Sequence, residues 1–422
     1  MKLCDLVQWY TPFSGGIRTY LDAKRRYIAE MTEHEHVLVV PGPEDRCTRT
    51  GRLTKIEVAA PRIPGGTAYR FMWRPGRILA ALTEAAPDVI EVGSPYLLPW
   101  VAAEYHKRTS VPIVGYYHTD FPEVYLRMPA QKVAGSWVAG RMRDAGYRYA
   151  RRVYQACDLT VAASHRLVRR LRGLGVERCL YVPLGVDIQQ FHPANRDRSV
   201  WTGFGLRSQD RILIYCGRLD AEKRVIDLVK AVERLPGRLN ARLVLLGAGP
   251  LANDLRERAA SCPYLRVRPY LDRKPALARL LASADMYVTA GPYETFGLSV
   301  VEAQASGLPV VGVRAGALIE RVRPDLGRLA APNDPRDLAR RMMEVLEADP
   351  VAMGQAARRA VEREYAWERV FRCLLQAYER LLHSPGLDRR ALAETQASIC
   401  APVAQPPVDS ALAFEGRYGS TR

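Results

Sequence analysis

Two acids and two cations are placed where they could do chemistry. In "GPYETFGLSVVEAQASGLPVVGV" (291–313), Glu294 and Glu302 stand eight positions apart around Phe296-Gly297-Leu298, in a stretch with no other charge. The preceding "DMYVTAG" reads as a strand, "PYET" as a loop and "GLSVVEAQASG" as a helix closing on Gly307. Glu294 then lies at a strand's carboxyl end, and Glu302 about a turn and a half into the helix. The leading N–H groups at Phe296, Gly297 and Leu298 lack intrahelical partners and sit at the positive end of the helix dipole, which suits phosphate. Gly297 permits close approach of a ligand to the backbone. A carboxylate on each side accepts hydrogen bonds from vicinal hydroxyls, as a hexose or a ribose presents them.

The cations come earlier, in "YCGRLDAEKRVIDLV" (215–229). Arg218 follows Gly217 at a strand's end, and Lys223 opens a helix five residues later. A guanidinium and an ammonium there would neutralise a departing diphosphate as its charge builds up. Any one of these four residues alone is an ordinary surface charge. Together they describe a site for a nucleotide-sugar, with the ribose on one acid and the hexose on the other. The chain contains no D-x-D, so a metal-bridged diphosphate is not indicated, and neither a metal nor a cofactor is expected.

The elements that must position these groups alternate along the chain. Strand-like runs at 3–10, 36–40, 54–60, 88–93, 111–118, 158–164 and 178–184 are separated by segments such as the helical "GIRTYLDAKRRYIAEM" (16–31). After a polar stretch, 185–210, the pattern restarts with runs at 211–217, 241–249, 264–270, 285–291, 308–313 and 327–331. Strands interleaved with helices imply parallel sheets covered on both faces. At 422 residues the chain exceeds one hydrophobic core. The expected fold is α/β, two doubly wound Rossmann-like domains facing a central cleft. Residues 1–195 form the acceptor-side domain and 196–365 the nucleotide-sugar domain. A helix is expected at 366–383, which by family resemblance packs back on the first domain, and the Pro-, Ala- and Ser-containing tail, 384–422, is expected to be disordered.

"GRLDAEKRV", "LLGAGP" and "GPYETFGLSVVEAQASGLPVVG" together resemble the signature of the large retaining GT-B glycosyltransferase family that includes phosphatidylinositol mannosyltransferases and sucrose-phosphate synthases. The likeness runs from about residue 5 to 383, and its Glu-x7-Glu element with the "FGLS" core is the specific part. It implies that Arg218 and Lys223 contact the donor diphosphate, Glu294 the hexose and Glu302 the ribose. The amides of Phe296, Gly297 and Leu298 would take the sugar and phosphates. "PFSGGIRTYL" places Gly15 and Gly16 where the family has its glycine turn beneath the donor phosphate. "VGYYHTDFPEVY" resembles an H-T-x-x-P stretch of mannosyl- and glucosyltransferases, which makes His118 a cleft residue near the reacting carbon.

The implied reaction is hexose transfer with retention, by front-face displacement. Asp120 is the nearest acid that could act as a nucleophile on the opposite sugar face, and its role stays open. The donor leans to GDP-mannose, with a UDP-sugar as the alternative and a sugar-nucleotide epimerase as a more distant one.

Composition bears on partners. Apolar residues are 48% and charged residues 25%, a globular profile. The N-terminus reads as a strand, so a cytoplasmic location with reduced thiols is expected. A net charge of +17, with basic clusters between about 140 and 178, suits polyanions or an anionic membrane face. No nucleic-acid-binding motif accompanies that charge, so a peripheral contact at the inner membrane face and a saccharide or lipid-linked acceptor are the expectation, with no nucleic acid.

Overall fold

The computed structural model describes residues 1–11, 15–64, 69–271, 274–383 and 394–395. Most of the 384–422 tail, where disorder was expected, lies outside the described residues, as do Pro12–Ser14 just ahead of Gly15.

The first half runs β1 (Lys2–Leu6), α1 (Gly15–Met31), β2 (Glu35–Gly42), β3 (Arg46–Thr50), β4 (Leu53–Ala59), α2 (Pro75–Ala85), β5 (Val89–Val92), α3 (Leu98–Thr109), β6 (Ile113–Tyr117), α4 (Met128–Gln155), β7 (Leu159–Ala162), α5 (His165–Gly173) and β8 (Cys179–Tyr181). These strands form one sheet in the order β3-β4-β2-β1-β5-β6-β7-β8, parallel except for the β3–β4 hairpin. The β-branched runs fill its centre: Val37, Leu38, Val39, Ile90, Val114 and Val161 are all buried. Helices on both faces remove this apolar surface from water, at about 25 cal/mol per Å².

The second half repeats the design with β9 (Arg211–Cys216), α6 (Val225–Val232), β10 (Ala241–Leu246), α7 (Ala252–Ser261), β11 (Leu265–Arg268), α8 (Lys274–Ser283), β12 (Met286–Val288), α9 (Leu298–Ala305), β13 (Val310–Val313), α10 (Leu318–Arg321), β14 (Gly327–Ala330) and α11 (Pro335–Glu347). Its sheet is wholly parallel, in the order β11-β10-β9-β12-β13-β14. The chain leaves β9 toward β10 and later returns on the other side to β12. A crevice therefore opens beyond the carboxyl ends of β9 and β12, where doubly wound sheets bind ligands.

Between the sheets, residues 185–210 are held down at several points. Trp201 is buried and donates its indole N–H to the Ser283 carbonyl at 2.9 Å. Arg358, from α12 (Pro350–Glu364), donates to the carbonyls of Phe191 (2.6 Å), Ala305 (2.7 Å) and Ile188 (3.0 Å). The chain then crosses back: Val186 N–H donates to Tyr365 O at 2.7 Å, and α13 (Trp367–His383) lies against α1.

A buried charged group fixes that crossing. Lys24 of α1 donates to Asp5 at 2.7 Å and to Glu91 at 3.0 Å. Glu91 also accepts from Tyr20 and from Tyr378 of α13. Burial opposes the Lys24 charge, but the two carboxylates outweigh it and hold its pKa above the ordinary value.

Candidate active site

Arg218 and Lys223 follow β9, and Glu294 follows β12, so the switch point of the second sheet brings all three to one crevice. Lys223 Nζ donates to Glu294 Oε1 at 2.6 Å, and its backbone N–H donates to Asp220 at 3.0 Å. Desolvation works against the ammonium, yet Glu294 overrides it and keeps the Lys223 pKa raised. Gly291 makes room for this pair, because a Cβ there would come within 3.2 Å of Lys223 Cδ. Arg218 is paired with Asp220 at 3.0 Å and with Glu222, but its side chain is 61% exposed and faces open cleft. The turn carrying it rests on the "LLGAGP" turn: a Cβ on Gly247 would lie 1.9 Å from Gly217 O, so no larger residue fits.

Helix α9 begins at Leu298, with Gly297 as its N-cap in the left-handed region (φ 86°). Gly297 O accepts from the Val300 and Val301 N–H groups, leaving the amides ahead of them directed out of the helix end. Phe296 is buried under the guanidinium of Arg321, which lies 4.4 Å from the ring centroid and also donates to Phe296 O. Arg321 reaches Tyr365 Oη (2.8 Å) and Ala163 O (2.9 Å) as well, so one buried cation ties this loop to the crossing segment and to the first sheet. Glu302 sits within α9 among apolar neighbours. Burial pushes its carboxyl up to about 7, with Lys274 pulling partly back.

The first half supplies the facing wall. Gly15 and Gly16 open α1, and a Cβ added to Gly16 would sit 3.8 Å from Leu298 Cδ2, so the starts of α1 and α9 meet across the cleft. His118, just past β6, stacks flat on Tyr116 at 3.9 Å and packs against Gly93. Burial drives its pKa down to about 3, so the imidazole is neutral at physiological pH. Its carbonyl accepts from Thr295 Oγ1 at 2.9 Å, a direct bridge between the two walls. Asp120 is fully engaged, by Arg170, by Tyr117 Oη (2.8 Å) and by Tyr147 Oη (3.1 Å). The His118 turn, Gly15, Gly16 and the 294–302 segment thus converge; Asp120 belongs to a separate cluster.

Residues 14–190 match the family model described as Glycosyltransferase Family 4, and 202–364 the one described as Glycosyl transferases group 1. The GDP-mannose-dependent alpha-(1-6)-phosphatidylinositol dimannoside mannosyltransferase of Mycobacterium tuberculosis is 32% identical over 382 residues, covering 89% of this chain and 95% of that protein. The chain belongs to the GT-B glycosyltransferase family. A second relative of this glycosyltransferase, the GDP-mannose-dependent alpha-mannosyltransferase of Corynebacterium glutamicum, is 27% identical over 78% of this chain and 76% of its own length. In fold, the glycosyltransferase is similar to sucrose-phosphate synthase from Thermosynechococcus elongatus, with a TM-score of 0.74 at 20% identity, covering 90% of this chain and 99% of that one.

Thr295, Tyr125 and Arg321 are site neighbours that sequence reasoning passed over. Thr295 was inside the quoted motif, yet its partner is 177 residues away. Tyr125 stands over the cleft near Arg218 and Lys223. Arg321 looks in sequence like any helix-end arginine.

Proposed function

We propose that this glycosyltransferase moves mannose from GDP-mannose to a hydroxyl of a lipid-linked or saccharide acceptor, with retention at the anomeric carbon. The observation that carries the reading is the convergence of Arg218, Lys223 and the amide end of α9 at the β9/β12 switch point, with Glu294 locked to Lys223. Mannose and guanine rest on the two relatives named for GDP-mannose.

In this reading Arg218 and Lys223 hold the diphosphate, and the amides of Phe296–Leu298 complete its cradle. Glu294 orients the hexose, Glu302 accepts from the ribose diol, and Gly15 and Gly16 let the phosphate approach α1. His118 meets the sugar through its neutral side chain, since Thr295 occupies its carbonyl. As the glycosidic oxygen departs, negative charge gathers on the diphosphate, where the two cations stabilise it, and that oxygen takes the acceptor's proton. Asp120 makes a poor nucleophile while Arg170 and two tyrosines fill its lone pairs. The protein's own cations supply the charge, and transfer is expected to persist in EDTA. The basic first half would keep the enzyme at the cytoplasmic face of an anionic membrane.

A donor panel of GDP-mannose, GDP-glucose, UDP-glucose and UDP-galactose, with mannosylated lipid extract as acceptor, tests the reading. Proton NMR of the product gives the anomer. GDP-mannose should be consumed fastest and the new linkage should be alpha; preference for a UDP-sugar overturns the donor, and a beta linkage overturns the mechanism.

A further inference from the structure

The stretch that follows the cleft wall is unusual. After β6, residues Pro122–Arg127 form a π-helical turn that leads into α4. Tyr125 stands beside Arg218 and Lys223, and Arg127 is bonded to Glu123 at 3.0 Å and lies near the Tyr293 side chain, so this turn borders the cleft mouth. Only a few residues on, α4 breaks at Gly135 (φ 77°, ψ 174°). On either side of the break Val133 is 89% exposed and Trp137 is 72% exposed, with Met142 exposed one turn further. A monomeric protein in water has little reason to show a Val, a Trp and a Met on one short segment.

The elements that follow this apolar cluster are strongly basic. Residues 128–178 contain eleven Lys and Arg against three Asp and Glu. Arg141 stacks on Trp137, its guanidinium 5.1 Å from the ring. Arg148, Arg151, Arg166 and Arg169 are exposed on α4 and α5, while Asp144 is tied to Arg143 at 2.9 Å. Self-association through this face would set positive charge against positive charge, because a two-fold interface places the same patch on both copies. An anionic bilayer answers both properties, taking Trp and Val into its apolar layer and arginines among its phosphates. Among the described residues no helix is long and apolar enough to cross a membrane, so the contact is interfacial.

We propose that the broken start of α4, with Val133 and Trp137 at its tip, inserts into the surface layer of an anionic membrane and sets the cleft mouth against that surface. The inference deepens the membrane-side reading above and names the contact, but the contact itself needs neither donor nor acceptor. Each basic side chain near an anionic surface strengthens partitioning roughly fivefold, so the attraction falls steeply with salt.

The test is sedimentation of the full chain with phosphatidylcholine vesicles, with and without about a third phosphatidylglycerol. Wild type should bind the anionic vesicles and not the neutral ones, and lose binding as NaCl is raised. Its tryptophan emission should shift to the blue on binding, a shift absent in Trp137→Phe. The double substitution Val133→Ser/Trp137→Ser should lower the partition coefficient by about tenfold or more while leaving the melting temperature and GDP affinity unchanged. Equal partitioning of the double variant, or equal binding to neutral vesicles, overturns the proposal. So does a wild-type dimer by light scattering that the double variant abolishes. GDP affinity is read separately, so loss of the donor reading would show there and not in the vesicle data.

Discussion

Glu302 offers a prediction with a worked size. Its carboxyl, ordinarily at 4.5, is pushed up to about 7 because α9 holds it half-buried between the buried Val301 and Ala303, with Lys274 pulling partly back. Below pH 4.5 the folded and unfolded chains both hold this proton, and nothing is at stake. Between 4.5 and about 7 the unfolded chain releases it while the folded chain retains it, so stability falls as pH rises. Above 7 the folded protein carries the charge in full. The rise corresponds to about 3 kcal/mol at 1.36 kcal/mol per pKa unit.

The substitution Glu302→Gln removes the titrating group and keeps the shape. Relative to wild type, its stability should therefore improve by about 3 kcal/mol between pH 4.5 and pH 8, whatever constant offset the amide adds. A ribose diol that donates to Glu302 would lose a charged acceptor, so the same variant should bind GDP about tenfold more weakly at pH 8. Urea unfolding followed by tryptophan fluorescence at pH 5 and pH 8, with GDP titrations on the same samples, gives both numbers. A stability difference that does not change with pH refutes the burial argument. Unaltered GDP affinity refutes the ribose assignment.

Other substitutions probe the remaining parts. Lys223→Met leaves Glu294 without its partner and removes a diphosphate cation, so transfer should fall by about a hundredfold in a steady-state assay. Asp120→Asn breaks the pairing with Arg170 and should cost about 3 kcal/mol in chemical unfolding, while the folded fraction keeps turnover within severalfold of wild type. Tyr378→Phe withdraws a donor from the buried Glu91 and should lower stability by about 1–3 kcal/mol, visible as a lower melting temperature with GDP affinity retained.

The β-branched runs announced the strands because burial on both faces leaves little freedom of composition, as in "VIEV" and "RILIYC". The strand β3 escaped notice because "RCTRT" is exposed along its whole length and shows no apolar pattern. The π turn and the break at Gly135 likewise lack a sequence period. The placement of Arg218, Lys223 and Glu294 beyond the strand ends was readable from the strand-loop-helix pattern. Their pairing was not, since Lys223 and Glu294 meet across 71 residues, and the trapping of Asp120 depends on Arg170 fifty positions away. Local pattern reports the backbone frame; contacts between distant turns require the fold.

Titration calorimetry of GDP, GMP and guanosine against the wild-type chain and Arg218→Ala tests the central claim most directly. Two cations and a helix end that grip a diphosphate predict tight GDP binding, much weaker GMP, weaker guanosine still, and a selective loss of GDP affinity in the variant. Guanosine binding as tightly as GDP, or Arg218→Ala matching wild type for all three, would contradict it.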